Sequence, residues 1–218
     1  MESQILYAGV ALGIFDHAGK KQPKFAEQLG SELKVDPTLL FRLLRASASL
    51  GLLVERDGGF IISESGALLQ SCASGSLRDM VLLEEEPEHY FIWAHLVDLI
   101  RDGQQNAFVR QFGQMAFEYA HSNSNYGVVF RRAMSSFSTV QSKLALEALR
   151  GFNFGSITTV CDVASGQGHL LCSLLSAHES LAGIVFDLPE VVADKTDLWA
   201  PKMGGAHPVS PDMSASLI

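Results

Sequence analysis

Two acidic residues and a pair of glycines have the types and spacing of a nucleotide-cofactor pocket. Asp162 lies in the short β-branched run 158–163, and Gly166 and Gly168 follow it closely. These glycines offer a positive φ or a missing Cβ, so the backbone there can approach a ligand. Asp187 comes 21 residues after Gly166, where a carboxylate can accept hydrogen bonds from both hydroxyls of a ribose.

The surrounding pattern predicts the elements that position these residues. The run 158–163 is typical of a buried parallel strand, and 169–177 is predicted to be a helix whose amide ends point at the glycine turn. A second apolar strand then ends at Asp187. The glycine pair alone also fits an ordinary strand-to-helix turn, but the acids favour a cofactor site. No Lys-Ser/Thr follows, which disfavours a nucleoside triphosphate site.

The N-terminal part has the pattern of a winged helix-turn-helix, which we place at about residues 20 to 70. Asp36-Pro37 supplies an N-cap and a first-turn proline for a helix over 38–50. The runs 52–56 and 60–62, separated by Asp-Gly-Gly, predict a β-hairpin.

Residues 76 to 150 are predicted to be mostly helical, with a domain boundary near 145 to 157. We expect Glu84–Pro87 to be a solvated break between helices, 121–127 to be a polar loop, and 130–149 to be a long amphipathic helix. One predicted helix face is apolar and consists of Trp93, Leu96, Val97 and Ile100. A second apolar set could line an aromatic pocket or could equally be core; it consists of Phe108, Phe112, Met115, Phe117 and Met134.

The composition limits the classes of protein to which this chain can belong. With 218 residues, 47% of them hydrophobic, the chain can form a packed core, and its net charge of -8 argues against a nucleic-acid partner. It shows no signal peptide, no apolar run of membrane-spanning length, no CxxC and no metal-ligand spacing of histidines. We therefore expect a cytoplasmic protein that binds neither membrane nor metal.

Several segments resemble the class I S-adenosylmethionine-dependent O-methyltransferases of small molecules. Residues 3–16 resemble the opening dimer helix of this family, 39–53 its Leu-Leu-Arg…Leu-Gly-Leu-Leu segment and 130–138 its pre-sheet helix. Residues 185–192 are close to one of its signatures. The resemblance implies an α/β fold: a helical winged-helix dimerisation domain, here 1–150, and the first part of a Rossmann-like parallel sheet, here 151–218.

The resemblance also implies a cofactor, S-adenosyl-L-methionine, and roles for individual residues. Asp162, Gly166 and Gly168 would line its methionine part, Asp187 would hold its ribose, and Ser138 would reach its carboxylate end. Ser138 could equally be a surface hydroxyl.

Three further residues match positions of the family. Met134 would touch an aromatic acceptor, although it also fits plain helix core. Asp212 and Met213, in a segment similar to the family's third motif, would flank adenine; Asp212 could instead be an ordinary loop residue. His169 is expected simply to begin its helix.

The chain departs from the family at two points. Ala164 and Ser165 stand where the family carries glycines, and at positive φ each would cost on the order of 1 kcal/mol. The family's general-base His is expected beyond Ile218, so the catalytic residue is unknown and the chain looks incomplete at both ends.

The resulting prediction is a homodimeric O-methyltransferase acting on a small aromatic hydroxyl compound. One alternative is a catalytically inactive cofactor-binding and dimerisation module of the same lineage. Another is a winged-helix DNA-binding regulator, which is disfavoured because the helix over 38–50 carries only Arg42 and Arg45 as cations.

Overall fold

The computed structural model describes residues 1–166, 168–187, 191 and 207–209. By its internal contacts the chain divides into two compact units, Met1–Ser136 and Phe137–Ile218. This division is based on contacts between Cα atoms, and the domain boundary near 145 to 157 stays a prediction. Among the described helices, none has the length and apolar character needed to cross a membrane.

The first unit is helical apart from one hairpin. Its elements are α1 (Glu2–Ala11), α2 (Ile14–His17), α3 (Ala26–Leu33), α4 (Pro37–Ser49), β1 (Leu53–Arg56), β2 (Gly59–Ile62), α5 (Glu64–Ala67), α6 (Arg78–Glu85), α7 (Pro87–Ile92), a 3₁₀ turn (Trp93–His95), α8 (Leu96–Asp102), α9 (Ala107–Phe112), α10 (Ala116–Ser122) and the beginning of α11 (Ser124–Ala148).

Local signals explain the winged helix, whose prediction is confirmed. The Asp36 side chain accepts a hydrogen bond from the Leu39 amide at 2.8 Å, and Pro37 occupies the first turn, so α4 begins one residue earlier than predicted. Asp57 and Gly58 both have positive φ, 51° and 79°, as a tight two-residue hairpin turn requires.

A single apolar core joins the opening helices to the winged helix. Ile14 and Phe15 of α2 are fully buried, together with Leu29 of α3, Leu44 of α4 and Phe60 of β2. Each such side chain contributes roughly 1.5–3 kcal/mol of hydrophobic stabilisation when buried.

A second core lies among the later helices and is rich in aromatic rings. Phe108 of α9 is buried in it and contacts Phe112, Tyr119 and Tyr126, with ring centroids 4.7 to 5.9 Å apart. Phe108 and Phe112 are thus core residues, whereas Phe117 of the same predicted set is 75% exposed.

The predicted loop over 121–127 is wrong. The chain is helical there, because α10 continues to Ser122 and α11 begins at Ser124. Asn123 makes this possible, since its side-chain oxygen accepts a hydrogen bond from the Tyr126 amide at 3.1 Å. The polar residues that favoured a loop in the sequence are the capping residues of a tight helix-to-helix junction.

The acidic segment between α6 and α7 is a helix break, as predicted, but it is not fully solvated. Glu86 is only 9% exposed, and its Oε1 has no hydrogen-bond partner among the described residues. Burial, and then the nearby Glu88 carboxylate, raise the pKa of Glu86 to about 7. This is a protonatable group inside the unit rather than a surface acid.

The second unit contains the rest of α11, a 3₁₀ turn (Leu149–Gly151) and a parallel sheet. The described strands β3 (Thr159–Val163), β4 (Ala182–Phe186) and β5 (His207–Val209) lie in the order β3-β4-β5, and α12 (His169–Ala177) connects the first two. This is the start of the predicted Rossmann-like sheet.

Burial differs between the two strands that carry the acids. β4 lies between β3 and β5, and its Val185 is fully buried. β3 is an edge of the described sheet, and its Val163 is 60% exposed. The prediction that the run 158–163 is a buried strand is therefore wrong for β3, although its parallel pairing is confirmed.

Candidate functional site

The glycine turn and Asp187 meet at the carboxyl ends of β3 and β4. The Gly166 amide donates a 2.6 Å hydrogen bond to Oδ2 of Asp187. Gly166 and Gly168 have φ values of 55° and 74°, so both occupy the left-handed region, which is one of the two roles that the sequence predicted for them. A Cβ added at Gly166 would meet no atom within 4 Å, so open space lies beside the turn.

The strand register brings a second acid to the same edge. Asp162 pairs with Val185 across the sheet, and the Ala164 amide donates to the carbonyl of Phe186 at 2.8 Å. Burial raises the pKa of Asp162, and the nearby charge of Asp187 raises it further, while the backbone amide of Leu171 opposes the shift. This edge therefore gathers negative charge beside the amide-rich turn.

A cavity of about 530 Å³ opens between the end of α11 and this turn, within the second unit. Its volume falls in the range of small-molecule sites. From α11 come residues at helical spacing, and from the sheet side come residues of β3, the turn and α12. The described residues that line it are Ser138, Gln141, Ser142, Leu144, Ala145, Asp162, Ala164, Ser165, His169 and Leu170.

Two residues that line this cavity each carry a buried polar atom with no hydrogen-bond partner among the described residues. These atoms are the hydroxyl oxygen of Ser165 and Nε2 of His169. Burial lowers the pKa of His169, which favours its neutral form. Buried polar groups are nearly always hydrogen-bonded, so these two atoms are exceptions among the described residues.

Comparison with known families decides the lineage. Residues 1–76 match the O-methyltransferase dimerisation domain, and residues 93–214 match the O-methyltransferase domain. The chain belongs to the O-methyltransferase family. Members of this family use S-adenosylmethionine and act on small molecules.

Individual relatives agree with this assignment. This O-methyltransferase-family chain is 32% identical to the phenazine O-methyltransferase PhzM of Lysobacter antibioticus over 190 residues, which cover 87% of the chain and 54% of that protein. It is 30% identical to the caffeic acid 3-O-methyltransferase of Ammi majus, covering 98% of the chain and 61% of the relative. The chain thus spans little more than half the length of these relatives.

A solved structure gives the same fold. The crystal structure of LaPhzM superimposes with a TM-score of 0.82 at 29% identity, covering 96% of this chain and 62% of the other. The family resemblance and the fold class predicted from the sequence are both confirmed.

The residues of the cavity suit one end of the family cofactor. S-adenosylmethionine ends in an amino acid that carries an ammonium and a carboxylate. The Asp162 carboxylate suits the ammonium, and the hydroxyls of Ser138 and Ser165 can donate to a carboxylate.

The sequence-predicted site residues fall into three groups. Ser138 and Asp162 line the cavity, Gly166 and Asp187 are joined by their hydrogen bond at the same sheet edge, and Gly168 is the N-cap of α12 beside them. Met134 belongs to the first unit, where it packs partly buried against the aromatic core. Asp212 and Met213 lie outside the described residues, and the roles of all these residues stay predictions.

Sequence reasoning missed some of the lining residues. Gln141, Ser142 and Ala145 follow Ser138 at three, four and seven positions along α11. That helical spacing could have found them once Ser138 was placed. His169 carried no such signal, because its position after the turn predicted only the start of a helix.

The family departure at Ala164 leads to a stability prediction. Ala164 has a φ of 58°, so a non-glycine residue occupies the left-handed region here. We expect Ala164→Gly to raise the free energy of unfolding by up to about 1 kcal/mol, because the relieved strain exceeds the added unfolded-state entropy. Urea unfolding measures this change.

A matched control is Ala177→Gly at the end of α12, where the backbone is helical. There glycine should lower the free energy of unfolding by up to about 1 kcal/mol. Equal losses in both variants would contradict the strain at Ala164.

Proposed function

We propose that this chain binds S-adenosylmethionine at the edge of β3 and β4 and serves as the donor-binding part of an O-methyltransferase of a small aromatic hydroxyl compound. The observation that carries the proposal is the hydrogen bond between the Gly166 amide and Asp187. It joins a tight glycine turn to a carboxylate at the carboxyl ends of adjacent parallel strands, where nucleotide cofactors bind in such sheets.

Each residue of the site has a distinct task in this proposal. Asp187 accepts hydrogen bonds from the ribose hydroxyls, and the turn at Gly166 and Gly168 lets the backbone approach the cofactor. Asp162 and Ser138 hold the amino-acid end. The bound cofactor supplies a methyl group made electrophilic by its sulfonium, and the chain's part is to orient it toward the acceptor.

The acceptor class is proposed from relatives. Two similar proteins are, by name, a phenazine and a caffeic acid O-methyltransferase. Met134 stands on α11 beside the aromatic residues of the second core, which is compatible with contact to a flat ring. We therefore propose an aromatic hydroxyl acceptor, and we propose that Met134 contacts it.

Isothermal titration with S-adenosylhomocysteine tests the proposed function. We expect one molecule bound per chain, and no heat of binding with ATP. Methyl transfer to a panel of phenols, followed with labelled S-adenosylmethionine, then separates the enzyme from the inactive cofactor-binding module, which would bind without transfer. Absence of S-adenosylhomocysteine binding would refute the proposal.

We further propose that the chain forms a homodimer, since it carries the dimerisation domain of its family. An apolar face in the first unit supports this, with Trp93, Val97 and Ile100 exposed by 66%, 56% and 75%. Single molecules seldom leave such a patch in water.

Light scattering on size-exclusion fractions should give the mass of a dimer at micromolar concentration. We expect Ile100→Lys to shift the mass toward the monomer, because a charge would be buried at the contact. Val163→Lys, on an exposed position of β3 outside the dimerisation domain, is the control and should leave the mass unchanged. A monomeric wild-type chain would contradict the homodimer.

A further inference from the structure

The break between α6 and α7 places a buried acid where the chain turns from one helix into the next. Glu86 lies there in an extended conformation, with φ −64° and ψ 162°, and its side chain makes no hydrogen bond that caps α7. It is 9% exposed, and its Oε1 atom has no hydrogen-bond partner among the described residues. A buried carboxylate without such partners is costly, so this arrangement favours the neutral acid.

The groups around Glu86 do not offset a negative charge. Glu88 of α7 is the nearby charge that acts on it, and three acids, Glu84, Glu86 and Glu88, act together on Tyr126 of α11. His89 of α7 is engaged elsewhere, because its Nε2 lies 2.7 Å from the Tyr126 hydroxyl and its Nδ1 lies 3.5 Å from a carboxylate oxygen of Glu84. The remaining ionisable groups on the elements that contact α7 are Arg78, Asp79 and Glu85 of α6, His95 of the 3₁₀ turn, Arg110 of α9, and Arg131 and Arg132 of α11.

None of these cations compensates Glu86. Arg78 pairs with Asp79, and Arg110 pairs with Asp102. The charge that acts on Glu86 among the described residues is therefore that of an acid, and ionisation of Glu86 within the packed unit is opposed both by burial and by repulsion.

The helical segment that begins after Glu86 carries the apolar face assigned to the dimer. Residues 87–102, here called the α7–α8 segment, comprise α7, the 3₁₀ turn and α8, and their junction residues Ile92, Trp93 and His95 all have helical dihedral angles. A displacement of the first turn is thus transmitted toward the exposed Val97 and Ile100. His89 fixes that first turn, since its ring stacks on Tyr126 with centroids 5.8 Å apart.

We propose that protonation of Glu86 controls the packing of the α7–α8 segment and, through it, the homodimer. With a neutral carboxyl the segment stays packed against α6 and α9. Loss of the proton brings Glu86 into water, releases the first turn together with the contact between His89 and Tyr126, and weakens the dimer. This inference rests on the homodimer proposed above, because that contact uses the apolar face of the same segment.

The direction of the pH dependence follows from burial. Burial, and then Glu88, raise the pKa of Glu86 to about 7 in the packed segment, whereas a released carboxyl returns toward the ordinary value of 4.5. The stability of the packed segment is complete below about pH 4.5 and is lost as pH rises through 7. Between pH 5.5 and pH 8.5 the equilibrium constant for release increases about 30-fold.

Sedimentation equilibrium at pH 5.5 and pH 8.5 measures the consequence for the dimer. Each dimer needs two packed segments, so its dissociation constant rises as the inverse square of the packed fraction. We expect on the order of half of the segments to be released at pH 8.5, which raises the dissociation constant about fourfold.

Two neutral replacements remove the titration from the same position. Glu86→Gln keeps the shape of the neutral acid, and Glu86→Met keeps its length without polar atoms, so the second variant is informative even if the first packs poorly. We expect each to give the same dissociation constant at the two pH values, within about twofold. Glu85→Gln removes the neighbouring, less buried acid and should keep the wild-type pH dependence.

Amide hydrogen exchange locates the opening. In the Ile100→Lys background, which prevents association, peptides from 87–102 should exchange faster than peptides from α4 at both pH values, because α4 belongs to the core of the unit. After correction for intrinsic exchange, their opening constant should rise about 30-fold from pH 5.5 to pH 8.5, and adding Glu86→Gln should abolish the rise.

A dimer whose dissociation constant does not change with pH, or a pH dependence that persists in both neutral variants, overturns the inference and leaves the homodimer standing. Equal exchange in 87–102 and α4 also overturns it, because Glu86 would then be released only by global unfolding. A chain that is monomeric at pH 5.5 removes the proposed homodimer and this inference together.

Discussion

Replacing Asp187 with Ala should lower the affinity for S-adenosylhomocysteine by about 30- to 1,000-fold. Two hydrogen bonds from a sugar diol to a charged carboxylate are together worth roughly 2–4 kcal/mol, allowing for incomplete additivity. The substitution also removes the acceptor of the Gly166 amide, and with it a restraint on the turn. Isothermal titration of wild-type and variant chains measures the ratio directly.

Two further variants make this prediction specific. Asp187→Asn keeps the shape but loses the charge, and it should fall between wild type and Asp187→Ala. Glu179→Gln removes the same charge from an exposed position in the turn between α12 and β4, and it should bind like wild type. If Asp187→Ala bound as tightly as the control, the ribose would not be held by this residue.

The second large effect is expected at Glu86→Gln, which should make the chain more stable at alkaline pH. Glu86 has a folded-state pKa of about 7, above the ordinary value of 4.5, because it is buried. Stability from the protonated group is therefore complete below about pH 4.5 and is lost as pH rises through 7. A shift of this size corresponds to on the order of 3 kcal/mol.

The glutamine variant should escape this loss, since its amide does not titrate. We expect its free energy of unfolding, relative to wild type, to increase by about 2 to 3 kcal/mol between pH 5 and pH 8.5. Glu85→Gln is the neighbouring control and should keep the wild-type pH dependence. Parallel pH curves for Glu86→Gln and wild type would show that Glu86 is ionised in the folded chain.

Much of the fold could be predicted because the deciding signals are local. The cap at Asp36, the Asp57-Gly58 turn and the glycines at 166 and 168 each act within a few residues, and all lie in the predicted conformations. The pairing of Asp187 with the turn followed from topology, since parallel neighbouring strands end at one edge.

The sequence-based predictions are wrong where the structural role of a residue depends on packing against residues distant in sequence. Asn123 looked like part of a loop because a cap and a loop use the same polar residue types. Glu86 looked solvated because its neighbours are acidic, yet it is buried, and Tyr126 of the remote helix α11 lies close enough to interact with its charge. His169 was read only as a helix start, and the sequence could not show that α11 would complete a cavity against it.

The structure of the chain with S-adenosylhomocysteine bound is the most direct test of the account. We predict that both ribose hydroxyls lie within hydrogen-bond distance of the Asp187 carboxylate, about 2.5–3.0 Å, with the amino-acid end in the cavity beside Asp162. A ligand bound elsewhere, or one whose ribose does not contact Asp187, would contradict the assignment of this edge as the methyl-donor site.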